Sequence, residues 1–220
     1  MSDETALELN PKKTVIYRVV AGLIIGLSKV FFRPTVTGRE NIPLHGPVLI
    51  APIHRSNVDF AFTLFISSRK VFFMAKDSIF KVPMLGPLVS HLGAFPIRRG
   101  SADRDSMKLA EEVLRRGYAL VLFPEGTRKE GRRVEPIHDG AMFVAARTGA
   151  MVVPVGIGGS DRAMPLGAKF PRPSKIRIVI GTPIAPPVSD GRVARSAVAA
   201  KSEELRQELE AVYLRSLEGR

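Results

Sequence analysis

The chain has 220 residues, 45% hydrophobic and 25% charged, a globular composition for one domain with an appendage, long enough to bury a core without disulfide or metal staples. It contains 0 cysteines, which excludes disulfide frameworks, thiol nucleophiles, cysteine zinc sites and iron–sulfur clusters. The 33 Lys and Arg outnumber the 21 Asp and Glu, and the net charge of +12 favours an anionic partner: nucleic acid, anionic membrane or a phosphorylated small molecule.

The N-terminus starts acidic and lacks a small-residue cleavage motif, which argues against a cleaved signal peptide. An apolar run then extends from Thr14 to Phe32, about the length of one bilayer crossing, interrupted by Arg18 and Lys29. At about 100° per residue, Arg18, Gly22 and Lys29 share one helical stripe, with Gly26 at its edge. Ile16, Val20, Ile24, Leu27 and Phe31 crowd the opposite side. This pattern predicts a helix lying in the membrane interface; a core-packing helix and a single tilted span are the alternatives. Residues 1–32 are accordingly read as a membrane-associating segment and 33–220 as one α/β domain.

From Arg33 onward, short apolar runs alternate with helical patterns. Strands are expected at Val48–Ala51, Val71–Ala75, Gly93–Arg98, Tyr118–Phe123, Met151–Ile157 and Ile176–Gly181. Helices are expected at Asn57–Ser68, Pro83–His91, Arg104–Arg116, Gly140–Thr148 and Ser196–Leu217, with Gly117 and Gly149 as C-caps. Nearly continuous apolar strands alternating with helices predict an α/β fold, a mostly parallel central sheet flanked by helices.

The chain has no G-x-S-x-G elbow, Walker A loop or G-x-G-x-x-G fingerprint. With no cysteine and no close histidine pair, no metal site is expected. The densest local constellation is Ile53-His54-Arg55-Ser56-Asn57-Val58-Asp59, directly after a strand. On a regular helix His54 and Asp59 would diverge by about 140°. They meet only if His54 sits on the preceding turn and Asp59 in the first helical turn, with Ser56 or Asn57 as N-cap. An Asp bonded to one imidazole nitrogen leaves the other to accept a proton, and no serine or cysteine nucleophile accompanies the pair. Such a dyad suits a general base acting on the substrate's own hydroxyl; a buried structural histidine beside a helix-capping Asp is the competing interpretation.

Three further segments end strands. Phe123-Pro124-Glu125-Gly126-Thr127-Arg128 combines a glycine for close backbone approach, a hydroxyl and an arginine able to clamp an oxyanion bidentately. Gly93-Ala94-Phe95-Pro96-Ile97-Arg98-Arg99-Gly100 places two arginines, of which alternation lets one reach a common site. Lys76 follows the Val71–Ala75 strand. In one parallel sheet these groups converge on one rim, setting a base beside an anion pocket.

In their residues and order, these blocks resemble the glycerolipid acyltransferase family that includes 1-acyl-glycerol-3-phosphate acyltransferases. The H-x4-D motif is His54 to Asp59; the second and third blocks are 93–100 and 123–128; the fourth resembles Val152-Val153-Pro154-Val155-Gly156-Ile157. Ile53 stands where many members carry Asn. The resemblance implies that His54, oriented by Asp59, deprotonates a glycerol hydroxyl that attacks the thioester of acyl-CoA or acyl-carrier protein, with no acyl-enzyme and no further cofactor. It also implies that Lys76, Arg99, Gly126, Thr127 and Arg128 hold the acceptor phosphate while Glu125 orients the glycerol. The expected acceptor is lysophosphatidic acid at the cytoplasmic face of the cell membrane, the enzyme being monotopic or peripheral through its N-terminal helix. Glycerol 3-phosphate or another lysophospholipid or glycolipid acceptor is the runner-up. A basic binding module for anionic membrane or nucleic acid is the non-enzymatic rival, with nucleic acid disfavoured because the basic residues follow strand ends without interleaved aromatics.

Overall fold

Beside the short Thr-Val-Thr strand β1 (Thr35–Thr37), mostly apolar runs form β2 (Val48–Pro52), β3 (Val71–Lys76), β4 (Ala94–Ile97), β5 (Ala119–Val121), β6 (Met151–Gly158) and β7 (Arg177–Ile180). The computed structural model describes residues 11–83, 85–97, 104–187 and 193–218. The seven strands make one sheet in the order β1-β7-β6-β2-β5-β3-β4. β2 to β6 are mutually parallel; β7 runs antiparallel to β6, and β1 pairs parallel with β7. The helices are α1 (Pro11–Phe32), α2 (Asp59–Thr63), α3 (Asp77–Phe80), α4 (Leu85–His91), α5 (Arg104–Arg115), α6 (Gly140–Thr148), α7 (Ser160–Ala163) and α8 (Arg195–Leu217).

Alternation along the strands sends side chains to two covered faces. Val48, Ile50, Val71, Phe73, Val153 and Val155 pack with Ala21 and Phe32 of α1 and Phe62 of α2. Leu49, Ala51, Phe72, Leu120 and Val152 pack instead with Ala110 and Leu114 of α5, Ala141 and Val144 of α6, and Val198 and Leu205 of α8. Every residue of β2 is buried, which is why the central strand reads as an unbroken apolar run; full burial of each large aliphatic side chain is worth about 1.5–3 kcal/mol. α8 lies tightly on β6: a Cβ on Gly156 would come within 2.3 Å of the Val212 carbonyl oxygen.

Three differences from the sequence expectations have physical causes. The helix expected from Asn57 to Ser68 is helical only over Asp59–Thr63. Beyond it, Phe65 N bonds Phe62 O and Ile66 N bonds Thr63 O, and the Thr63 hydroxyl donates to Phe60 O at 2.6 Å, so tight turns replace the helix. β7 turns back antiparallel along β6 through long-range pairing that no local pattern announces. In α1, Ala21, Ser28 and Phe32 are buried and Tyr17, Val20 and Ile24 half-buried, while Val19, Leu23, Leu27, Val30 and Phe31 are exposed. The inward face therefore includes Val20 and Ile24 of the expected apolar stripe, and a second apolar face remains uncovered. Among the described residues no helix is long and apolar enough to cross a membrane.

Candidate active site at the carboxyl rim of the sheet

β2 ends at Pro52, Ile53 N bonds Val155 O at 2.9 Å, and the chain leaves the sheet at His54. The turn it enters is organised by one carboxylate oxygen. Asp59 Oδ2 accepts from the backbone N–H of Arg55 at 2.7 Å and of Ser56 at 2.7 Å, and lies 3.0 Å from His54 Nδ1. An ionised carboxylate only accepts, so Nδ1 carries the hydrogen and Nε2 is left with its lone pair. Asp59 is fully buried and the His54 side chain is 13% exposed, so the ring reaches solvent while its orienting partner does not. The imidazole stacks on Phe123 with centroids 4.2 Å apart. Asp59 itself thus caps the turn. The N-cap position of α2 is Val58, with no side-chain cap bond, and the Ser56 hydroxyl donates instead to Met164 O at 2.8 Å.

The segment after β5 holds His54 from its other side. His54 N donates to Glu125 Oε2 at 2.9 Å, and His54 O accepts from Lys129 N at 3.0 Å. Both main-chain groups of the histidine are therefore fixed by residues 125–129. Glu125 is buried, and both its oxygens accept from Arg55 Nη1, at 2.8 and 2.9 Å. An influence of Glu125 on a glycerol must consequently run through the turn it holds. Gly126 has φ 69, and a Cβ there would come within 2.9 Å of the His138 ring, so this turn needs glycine. Gly126 and Thr127 are exposed and Arg128 is half-buried. Lys129 is occupied by Glu135, whose carboxyl is held below its ordinary range by that hydrogen bond.

Arg55 is the residue that the sequence reading passed over. Its side chain is 1% exposed. Besides Glu125, its guanidinium donates to Gly131 O at 3.3 Å, His54 O at 3.1 Å and Arg133 O at 3.0 Å, and it lies 5.1 Å from the centre of the Tyr213 ring. It joins the His54 turn, the 125–133 segment and α8. The available signal was an arginine directly between a buried strand and a buried helical turn, where a charge persists only if paired.

Lys76 ends β3, whose neighbours are β5 and β4, so His54, residues 124–128 and Lys76 follow adjacent parallel strands at one rim. The Lys76 side chain and the whole of Arg99 lie outside the described residues. Among the described residues no group of three or more His, Cys, Asp or Glu side chains is placed to hold a metal ion.

A family model described as acyltransferase matches residues 33–158. The chain is 31% identical over 183 residues to a chloroplast 1-acyl-sn-glycerol-3-phosphate acyltransferase from Arabidopsis thaliana, an alignment covering 81% of this chain and 51% of that protein. It is 27% identical over 175 residues to the 1-acyl-sn-glycerol-3-phosphate acyltransferase of Bacillus subtilis (strain 168), covering 79% of this chain and 85% of that one. The chain spans about half the length of the plant and algal relatives it matches. Its fold is similar to the crystal structure of the 1-acyl-sn-glycerophosphate acyltransferase from Thermotoga maritima, with a TM-score of 0.76 and 23% identity over 97% of this chain and 86% of that one.

Proposed function

The chain belongs to the acyltransferase family, and from that premise we propose that it transfers a fatty acyl group from acyl-CoA or acyl-carrier protein to the free glycerol hydroxyl of lysophosphatidic acid, giving phosphatidic acid. The relatives named above support this acceptor. The observation that carries the reading is the His54–Asp59 contact of 3.0 Å on a rim that also holds Arg128. In the proposed step His54 Nε2 takes the proton of the acceptor hydroxyl as its oxygen bonds to the thioester carbonyl carbon. The tetrahedral oxyanion then collapses, the carbon–sulfur bond breaks, and the thiolate takes the proton back from the imidazolium. Asp59 holds the Nδ1–H throughout. Lys76, Arg99, Gly126, Thr127 and Arg128 are proposed to hold the acceptor phosphate, with Arg128 supplying the bidentate fork. Glu125 and Arg55 keep the His54 backbone in place. The exposed apolar residues of α1 support a monotopic or peripheral seat at a membrane surface; the cytoplasmic face of the cell membrane is the proposed location.

The test is phosphatidic acid formation, followed by mass spectrometry, with the full chain, an acyl-CoA and lysophosphatidic acid. Glycerol 3-phosphate and lysophosphatidylcholine serve as competing acceptors. Wild-type chain should acylate lysophosphatidic acid preferentially, and His54→Ala should lose at least about 10²–10⁴-fold in rate while keeping its fold. Near-normal turnover by His54→Ala, or preference for another acceptor, would refute the assignment.

A further inference from the structure

The rim of the sheet carries a second cationic region on the opposite side of His54 from Lys76 and Arg128. There a cavity of about 780 Å³ is lined by Arg33, Arg162, Arg172, Lys175 and Arg177. The register places it. Pro52 of β2 pairs with Val155 of β6, and three residues on Gly158 pairs with Arg177, which in turn pairs with Thr35. These residues therefore stand at the end of the sheet that His54 leaves, across β6, β7 and β1. The Ser56 hydroxyl reaches Met164, two residues beyond Arg162, and so joins the wall of the cavity to the His54 turn.

The walls are built. Arg172 N bonds Ala163 O at 2.7 Å, the Ser174 hydroxyl donates to Gly159 O at 3.4 Å, Ile176 N bonds Phe32 O at 3.0 Å, and Thr35 N bonds Ile176 O at 3.0 Å. Each bond ties a chain segment bearing one of the cations to the next segment. Arg33 has φ 41 and is the non-glycine residue with positive φ among the described residues, at the sharp passage from α1 to β1. None of the five cations forms an ion pair among the described residues. On α5, α6 and α8, by contrast, Arg115 and Arg147 both pair with Glu111, and Arg206 pairs with Glu203 and Glu210. Unpaired like charges around one concavity repel one another, and a polyanion relieves that repulsion.

We propose that this cavity binds the phosphate-rich nucleotide end of a coenzyme A thioester, an inference that rests on the acyl-transfer reading above. Guanidinium forks match phosphate oxygens bidentately, and the exposed Pro173 on the same wall offers apolar surface to a flat base. The volume suits a small molecule, within the usual range of about 300–1,000 Å³. The donor then approaches His54 from the β6–β7 side, leaving the β5–β3 side to the acceptor phosphate.

The probe is adenosine 3′,5′-bisphosphate, titrated calorimetrically into the full chain. Wild type should bind it, and the bisphosphate should inhibit transfer competitively against acyl-CoA. The exposed pair Arg172→Glu/Lys175→Glu should weaken binding and raise the KM for acyl-CoA by about tenfold or more. The KM for lysophosphatidic acid and the retention on anionic vesicles should stay the same. Inhibition of the wild type keeps the test decisive if the double variant does not fold. Absence of binding to wild type overturns the proposal. So does a variant whose loss falls on the acceptor KM or on vesicle retention, which would make the region a lipid-headgroup surface, or on acyl-carrier protein turnover alone. Because binding is read without turnover, a chain that holds the bisphosphate but acylates no lysophosphatidic acid supports the cavity and removes the acceptor assignment. A chain that acylates it with an unaltered acyl-CoA KM in the variant does the reverse.

Discussion

Replacing Arg55 with Met should be among the most destabilising single changes to a charged residue in this protein. The Arg55 and Glu125 side chains are 1% and 0% exposed. Without the guanidinium, the Glu125 carboxylate stays buried with His54 N–H as its remaining donor, the Arg133 carbonyl loses its donor, and the Gly131 carbonyl is left with the Tyr213 hydroxyl at 3.4 Å. Breaking a buried pair from one side costs about 3–5 kcal/mol, a large share of a total stability of about 5–15 kcal/mol. For a chain of this size that lowers the thermal midpoint by about 6–20 °C. Neutralising the stranded acid as well, in Arg55→Met/Glu125→Gln, should recover part of the loss, because the amide oxygen still accepts from His54 N–H. The assay is a double-mutant cycle by denaturant and thermal unfolding followed by circular dichroism. Arg55→Lys should fail to restore stability, since one ammonium cannot span Glu125, Gly131 and Arg133 together. A loss under about 1 kcal/mol for Arg55→Met, or additivity of the two changes within about 0.5 kcal/mol, would refute the reasoning.

Other consequences follow from the same contacts. Arg128→Ala should raise the KM for lysophosphatidic acid by about tenfold or more, as expected for loss of a charge-assisted contact, with the acyl-CoA KM unchanged; steady-state kinetics with each substrate varied decides it. Gly126→Ala should cost about 1–3 kcal/mol for its φ alone, and adding His138→Ala should return the steric part of the loss in a thermal melt. Arg206, with Gln207 assisting, holds the exposed Glu203 carboxyl down to about 2. This depressed group favours the folded state at pH above the ordinary carboxylate range and loses that contribution as the pH falls through about 2. An NMR titration should show the Glu203 value rising toward the ordinary range in Arg206→Ala. Removal of residues 1–32 should weaken flotation with anionic vesicles, because the exposed Val19, Leu23, Leu27, Val30 and Phe31 leave with α1; unchanged flotation would sink the interfacial reading.

What the sequence disclosed, and what it hid, divides along contact range. β2, β3 and β6 were legible because strands buried on both faces must be apolar throughout, and α6 because Gly149 closes it with φ 69. The meeting of His54 and Asp59 was legible as well, since five residues across a strand end leave few ways to bring the two side chains together. β1 was not legible: its pattern Thr35-Val36-Thr37 is short and half-exposed, and it is held by pairing with a strand about 140 positions away. Arg55 was hidden for the same reason. Its partners lie at positions 125, 131, 133 and 213, and only the folded chain assembles them. The cationic cavity draws on residues 33, 162, 172, 175 and 177, which no window along the chain contains together.

The spacing of the H-x4-D motif has a structural reason that bears on the chemistry. Asp59 Oδ2 serves two backbone N–H groups of the turn as well as the imidazole. The carboxylate must therefore sit just past the turn it caps; one position earlier or later its oxygen would leave either the turn or the ring unsatisfied. The same turn removes the nearest hydroxyl from contention as a nucleophile, because Ser56 is fully buried and its proton is given to Met164 O. In the proposed mechanism the group that Nε2 deprotonates is one that arrives with a substrate. In the proposed transfer both substrates must then be bound together, and both carry phosphate. A base flanked by cations on one side alone would set two anions competing for one place. The sheet order avoids that by putting β5, β3 and β4 on one side of β2 and β6, β7 and β1 on the other.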